Sequence, residues 1–381
     1  MNLKNKTIAF IPPNGEVIKQ DFALYRIISY FESKGVKTFL LIVNNGNQND
    51  LLHYNTSIIH LKDKNEIFTH LKNNKYDLIF SRSWMHRYSF GAKIAKEFDN
   101  VVSHIKDWHD FPKDEYAYIY KSPADFDGIL EIFKYSKLVL SHYSDEYLKF
   151  LYKKYNIDKT QNYLFSPDYT IKNNFYTTKN KSYSLDTAKI ILAGGGAHSS
   201  LPGKIAPMKS LLFTMTQLAD QKIYVDQVVL KKHFEKIQNN TVLYEDLLYE
   251  DKFNPFFSLK LGSELDSSLG EKYHFGIFAD SNYQANNLFE RAESYGVTSK
   301  FAFYMECGLP VLVNKRFKTL SKIVETNKIG ITFVDDDLKD FKKLLDISQT
   351  KYNKLIKNVY KFREKFTYNS ETMKPIFEML S

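Results

Sequence analysis

Short apolar runs alternating with helix-length segments, in two cycles separated by a polar stretch, constrain this 381-residue chain more than any other feature. The first cycle opens with Thr7-Ile8-Ala9-Phe10-Ile11, a turn, and a helix from about Phe22 to Lys34 that Gly35 ends. Strand-like runs follow at Val36–Val43, Ser57–Leu61, Asp77–Phe80, Val101–Ile105 and Lys137–Ser141, with helices expected near 65–73, 89–98 and Asp145–Tyr155. Strands joined through helices predict βαβ units and a parallel sheet, because parallel neighbours need a crossover between them. From Asn156 to Asp186 the pattern dissolves into Asn, Lys, Tyr, Thr and Ser, the composition of a connection. A second cycle starts at Ala188, with a strand to Ala193 ending in Gly194-Gly195-Gly196, a helix near 208–220, a strand near 223–229 and the run Phe275–Ala279. The stretch around 253–270 fits neither template. The fold class is therefore α/β, with one domain over 1–170, a linker over 171–187, a second domain over 188–365 and a terminal helix over 366–381, where Met373, Ile376, Phe377 and Met379-Leu380 recur at helical spacing.

Two cores need apolar material, and the composition supplies it: 43% of residues are hydrophobic, with 30 Phe and 27 Tyr. Cys307 is the sole cysteine, which excludes an internal disulfide and a cysteine-rich metal site and fits a cytoplasmic, reducing setting. No run of about 18 apolar residues is present, and Thr7–Ile11 is too short for a signal sequence. The excess of 53 Lys and Arg over 44 Asp and Glu gives a net charge of +9 that suits an anionic partner, a phosphate ligand or an acidic membrane surface. It is spread thinly, without the stacking platform of a nucleic-acid reader, so no nucleic-acid partner is expected.

The segment SKFAFYMECGLPVLV, Ser299 to Val313, starts as a helix, breaks at Gly-x-Pro and leaves as a strand. Ser299 is placed to cap the helix and Gly308 to supply the left-handed turn that ends it. The helix start favours an anion, and Lys300 adds a full positive charge beside it, which makes a seat for a diphosphate; the bland alternative is a surface lysine on an ordinary capped helix. Ten histidines are scattered without zinc-ligand spacing, and His142 reads as structural. Asp125-Phe126-Asp127 reads as the first turn of a helix and Asp335-Asp336-Asp337 as a solvated turn, neither placed to hold a divalent ion.

Ser299, Lys300, Tyr304, Met305, Gly308, Pro310 and Val311 fall in register with the Ser/Thr-Lys-x-x-Glu-Tyr-Met-x-x-Gly-x-Pro-Val-Ile segment of group-1 glycosyltransferases, and the chain resembles that family over residues 294–334. The resemblance implies a GT-B fold, two Rossmann-like domains facing a cleft, that moves a sugar from a nucleoside-diphosphate sugar to an acceptor hydroxyl. It also implies work in bacterial surface-glycan or glycoconjugate synthesis on a glycan, lipid-linked or protein-linked acceptor, with peripheral association to an acidic membrane. Where the family places a pair of glutamates that grip the donor, this chain has Tyr295 and Phe303, so donor contacts fall to backbone groups of Gly296-Val297-Thr298 and the retaining or inverting outcome stays open.

Lys204 and Lys209 match the cationic positions of the family's Gly-Arg-x4-Lys-Gly element, which holds the leaving diphosphate; Gly195 and Gly196 precede them and are placed to approach phosphate. No cofactor and no metal are expected, because fixed lysines neutralise the charge that develops on the leaving group. In the first half, Lys106-Asp107-Trp108-His109-Asp110 follows a strand directly, the position where open α/β sheets gather function. His109, with Asp110 or Asp107, is placed to orient an acceptor hydroxyl or take its proton; a polar loop with Asp capping the next helix is the plain alternative. Arg82 and His86 sit at an equivalent level as secondary candidates. A nucleotide-sugar epimerase of the same fold and a non-catalytic sugar-nucleotide-binding scaffold are the competing readings.

Overall fold

The computed structural model describes residues 3–17, 21–43, 55–84, 87–106, 128–156, 163–178, 181–194, 207–239, 241, 244–263, 266–279 and 294–381. The chain forms two compact units, Met1–Tyr169 with Tyr368–Ser381, and Thr170–Thr367.

Unit 1 runs β1 (Thr7–Ile11), α1 (Phe22–Ser33), β2 (Lys37–Val43), β3 (Ser57–Leu61), α2 (Lys64–Asn73), β4 (Leu78–Ser83), α3 (Ser89–Glu97), β5 (Val101–Ile105), α4 (Gly128–Tyr135), β6 (Leu138–Ser141), α5 (Asp145–Tyr155) and β7 (Tyr163–Phe165). Its seven-stranded sheet has the order β3-β2-β1-β4-β5-β6-β7 and every pairing is parallel. β4 and β5 are buried at every residue, including the polar Ser81, Arg82, Ser83, Ser103 and His104 towards their carboxyl ends. Helix starts are fixed by carboxylates: Asp21 accepts from the Leu24 N–H at the start of α1, and Asp63 from Asn65 and Glu66 at the start of α2. The strand order reverses between β1 and β4, the topological switch point outside whose carboxyl ends such sheets bind ligands.

Unit 2 runs β8 (Lys189–Ala193), α6 (Pro207–Asp220), β9 (Tyr224–Val229), α7 (Lys231–Asn239), α8 (Glu245–Phe253), β10 (Phe257–Leu261), β11 (Phe275–Phe278), α9 (Ser299–Glu306), β12 (Val311–Asn314), α10 (Lys318–Asn327), β13 (Gly330–Phe333), α11 (Lys342–Leu345) and α12 (Gln349–Arg363). The sheet order is β10-β9-β8-β11-β12-β13, again parallel throughout, with its switch point between β8 and β11. Ile190, Leu192, Val225, Phe275, Ile277, Leu312 and Phe333 form the centre of its core.

Three expectations need correction. The unclassified stretch around 253–270 contains β10, an edge strand too short and too exposed at Lys260 and Leu261 to show a clear period. The polar stretch after Asn156 contains β7, three half-buried residues long, and the segment expected as a linker holds two 3-10 turns, Lys172–Asn174 and Leu185–Thr187. Asp335-Asp336-Asp337 is solvent-accessible as expected but forms the start of a 3-10 helix and not a plain turn; Asp335 pairs with Arg316 and Asp337 accepts from the Val334 N–H at 2.7 Å.

The ends of unit 2 are laced together. The Thr170 N–H and hydroxyl donate to the Phe366 carbonyl at 3.2 and 2.6 Å, and the Thr367 hydroxyl donates to the Thr170 carbonyl at 2.9 Å. Beyond Thr367 the chain re-enters unit 1 and ends in α13 (Lys374–Leu380), burying Met373, Ile376, Phe377 and Leu380. There the Phe377 ring lies 6.1 Å edge-on from Phe31 and 6.2 Å from Tyr30, with Tyr368 stacked on Tyr30 at 5.8 Å. Phe377→Ala should therefore destabilise unit 1 by about 3–5 kcal/mol, the usual cost of deleting a buried aromatic ring, which urea denaturation monitored by tyrosine fluorescence will read.

Candidate functional site

In unit 2 the candidate site is built on α9, and a single aromatic side chain fixes where that helix lies. Tyr304 is wholly buried, and its hydroxyl accepts from the Ala193 N–H at 3.0 Å and lies 3.1 Å from the Ile191 carbonyl. One hydroxyl thus joins α9 to the carboxyl end of β8. The ring lies flat against Gly276 of β11, where any Cβ would overlap it, so the sheet is notched with glycine to admit the helix. The C-terminus of α9 closes as the sequence predicts: Gly308 takes φ +71°, its N–H donates to the Met305 carbonyl, and Leu309 donates to Tyr304, which together form a Schellman cap. Glu306, the last residue of the helix, is buried and accepts from the Ile171 N–H at 3.1 Å.

The N-terminus differs from expectation by one residue. Thr298, not Ser299, is the capping residue, in extended conformation and without a side-chain cap bond; its carbonyl accepts from Phe301 at 3.0 Å. Ser299 and Lys300 are the first two helical residues, and the Lys300 ammonium stands 5.8 Å from the centre of the Phe278 ring at the end of β11. Thr298, Ser299 and Lys300 are thus brought together beside the carboxyl ends of β8 and β11, the switch point of this sheet. Gly194, with φ +119°, ends β8 there and donates to the Val228 carbonyl at 3.1 Å. A helix start without a side-chain cap, flanked by an ammonium group, is a setting that an anion completes.

Phe303 is wholly buried, and the Tyr295 hydroxyl is 3.0 Å from the Lys318 ammonium, which also stands 5.0 Å from the Tyr295 ring centre. Lys209 is the third residue of α6, its side chain outside the described part. Lys204, Gly195, Gly196, Asp107, His109, Asp110 and His86 lie outside the described residues. Among the described residues no group of three or more His, Cys, Asp and Glu side chains is arranged to hold a metal ion, and no helix is long and apolar enough to cross a membrane.

Unit 1 carries a buried charged constellation at its own carboxyl edge. Arg82, one residue from the end of β4, donates through Nε to Asp21 and through Nη1 to His104 Nδ1 at 2.7 Å. Asp21 begins α1, so the ion pair bridges the switch point between the β1–α1 connection and β4. His104 lies opposite Arg82 in the β4–β5 register, and accepting at Nδ1 places its ring proton on Nε2. Lys106, just past β5, has its ammonium 3.6 Å from Asp168 and 4.5 Å from the centre of the Trp84 ring. Its N–H donates to the Ser83 carbonyl and its carbonyl accepts from the Tyr88 hydroxyl, both at 2.9 Å.

Burial opposes the charged forms of Asp168, Arg82 and His104, and the neighbours decide the outcome. For Asp168 burial raises the pKa, but the cations around it, Lys106 first and then Arg82, bring it down to about 2, so the group is a carboxylate. For Arg82 burial works against the charge, and Asp21 followed by Asp168 more than offset it. Burial and then Arg82 hold His104 well below the ordinary histidine range, so it is neutral. Sequence reasoning named Arg82 as a secondary candidate and read His142 as structural; it missed Asp21, His104, Lys106 and Asp168. The available signal was polar residues at the carboxyl ends of apolar strands, which covers His104 and Lys106. Nothing local marks Asp168, which follows Pro167 in a stretch read as connection.

The model of one protein family, glucosyltransferase 3-like, C-terminal domain, matches residues 244–377. No curated protein matches the sequence. Among solved structures, the chain is similar to Anabaena HepE in complex with UDP and glucose, at TM-score 0.60 and 11% identity over 99% of both chains. It is also similar to an alpha-glucosyltransferase in complex with UDP and a 13-mer DNA containing a HMU base, at TM-score 0.61 and 13% identity over 98% of this chain and 99% of that one. A third is sucrose-phosphate synthase from Thermosynechococcus elongatus, at TM-score 0.63 and 11% identity over 99% of both. At such identities the likeness is one of fold, and a fold-mate seen with DNA means that the fold does not carry the expectation of no nucleic-acid partner. The glycosyltransferase reading of the sequence is borne out: the chain is a GT-B-type protein of two Rossmann-like domains, with a glucosyltransferase 3-like C-terminal domain over residues 244–377.

Proposed function

We propose that this chain transfers a glycosyl group from a uridine diphosphate sugar to the hydroxyl of a carbohydrate-bearing acceptor, with residues 188–365 serving the donor and 1–170 the acceptor. The observation that carries the reading is the start of α9, Thr298-Ser299-Lys300, set at the switch point of a parallel sheet inside a glucosyltransferase-type domain. In the reaction the acceptor oxygen forms a bond to the anomeric carbon as the bond from that carbon to the diphosphate oxygen breaks. The acceptor proton leaves to a base and UDP departs with the electron pair. Negative charge grows on the diphosphate, and Lys300 with the dipole of α9 opposes it; Lys204 and Lys209 join them on this reading. His109 with Asp107 or Asp110 is the proposed acceptor-side base. UDP as donor nucleotide is supported by its presence in HepE and in the alpha-glucosyltransferase. We place the enzyme in the cytoplasm, its +9 charge suited to an acidic membrane face and its product to a surface glycan or glycoconjugate.

A screen of UDP-glucose, UDP-galactose and UDP-N-acetylglucosamine against p-nitrophenyl glycosides, read by UDP release, tests the activity. Release only as slow hydrolysis, with no dependence on any glycoside, would favour an epimerase or a scaffold. Lys300→Ala should weaken UDP binding by about 10- to 100-fold, the weight of one charge-assisted contact, and leave uridine binding unchanged in calorimetry. Equal loss for both ligands removes Lys300 from the site. Transfer should continue in excess EDTA, because fixed ammonium groups substitute for a divalent ion. Activity abolished by chelation and restored by Mg²⁺ or Mn²⁺ would refute that.

A further inference from the structure

The buried constellation of unit 1 contains one group that neither folding nor the proposed chemistry has accounted for. Asp168 is fully buried, and among the described residues neither of its carboxylate oxygens has a hydrogen-bond partner. The same holds for Nη2 of Arg82, which is equally buried. A carboxylate withdrawn from water ordinarily collects two or three donors. Asp168 instead faces a lysine ammonium at 3.6 Å, longer than a hydrogen bond, and stands within the field of Arg82, His104 and His142. It reaches this position because the chain, after β7 at one edge of the sheet, turns back over the carboxyl ends of the strands to the end of β5. Two buried cations, Lys106 and Arg82, draw on that charge, but a well-packed apolar set in place of the whole cluster would cost no more.

We propose that Asp168 is a positioning residue for the acceptor side of the reaction: its carboxylate holds Lys106, and with it the carboxyl ends of β4 and β5, in the arrangement that receives an acceptor sugar. This rests on the assignment of unit 1 to the acceptor. Lys106 is the pivot. Its backbone is bonded on one side to Ser83 of β4 and on the other to the Tyr88 hydroxyl, while its side chain is aimed by Asp168 across the face of Trp84. Without the carboxylate the buried ammonium is left uncompensated, and its relaxation shifts the edge where β4 and β5 end.

Full-length Asp168→Asn, Asp168→Glu and the double variant Asp168→Asn/Lys106→Gln will decide. UDP binding is measured by calorimetry, p-nitrophenyl glucoside binding by saturation-transfer NMR, and transfer from UDP-glucose by UDP release. Asp168→Asn should raise the acceptor KM at least tenfold with the Kd for UDP unchanged, and Asp168→Glu should recover part of the loss. The double variant, which removes both charges, should regain the wild-type melting temperature but not the acceptor KM. A merely structural ion pair predicts the reverse, with acceptor KM following the melting temperature, and that result would overturn the proposal. If Asp168→Asn does not fold, the glutamate and double variants give the same reading. Wild-type protein that binds UDP but no glycoside also overturns it, whereas failure to bind UDP counts against the donor assignment instead.

Discussion

A guanidinium in the interior of a protein has to be met by counter-charge, and unit 1 is organised around meeting that of Arg82. Asp21 supplies the charge from the start of α1, and His104 supplies a neutral acceptor from the adjacent strand. The consequence is that the connection leaving β1 and the strand β4, which diverge at the switch point, are held by one ion pair. Removing either partner would strand the other without water, which is why such pairs are costly to break even when they add little to net stability. The sheet's apolar register aligns the strands; the Asp21–Arg82 pair decides how their carboxyl ends are presented.

Unit 2 solves the same geometric problem with neutral groups. Its carboxyl edge is set by Tyr304, whose hydroxyl engages β8 and whose ring needs a glycine at 276 to lie against β11. That contact places the start of α9, and so Lys300, beside the strand ends. The tyrosine in the motif is thus a spacer that sets helix against sheet. Glu306 and Arg363 secure the same C-terminal turn: Glu306 accepts from Ile171, and the Arg363 guanidinium lies 4.5 Å from the ring of Phe175 and 4.4 Å from that of Tyr360 while donating to the Tyr176 carbonyl. The helix is thus pinned through its last turn, which leaves its N-terminus facing the strand ends.

The alternation of apolar runs and helical segments was legible as two parallel α/β domains because each strand buried on both faces must read as an unbroken apolar run. The elements that escaped are those that lack this signature. β7 has three residues, and β10 is an edge strand with two exposed positions. The motif around Ser299 was also legible, down to the left-handed Gly308, since a Schellman cap depends on residues within one turn of each other. Assigning the cap to Ser299 failed by one position, because cap identity depends on where the backbone leaves the extended region, which side-chain type alone does not specify.

By itself, then, the sequence determined the fold class, the two-domain order, and the helix start with its lysine as a candidate anion seat, because each is written in local periodicity or in a contiguous motif. Only the tertiary structure decided that Asp21, Arg82, His104, Lys106 and Asp168 share one buried cluster. They come from the start of α1, from two adjacent strands and from the segment after β7, positions up to 147 residues apart in the chain. No sequence period relates them. What brings them together is strand order, which moves β4 next to β1, and the need of each buried charge for a partner, which only the folded arrangement can satisfy.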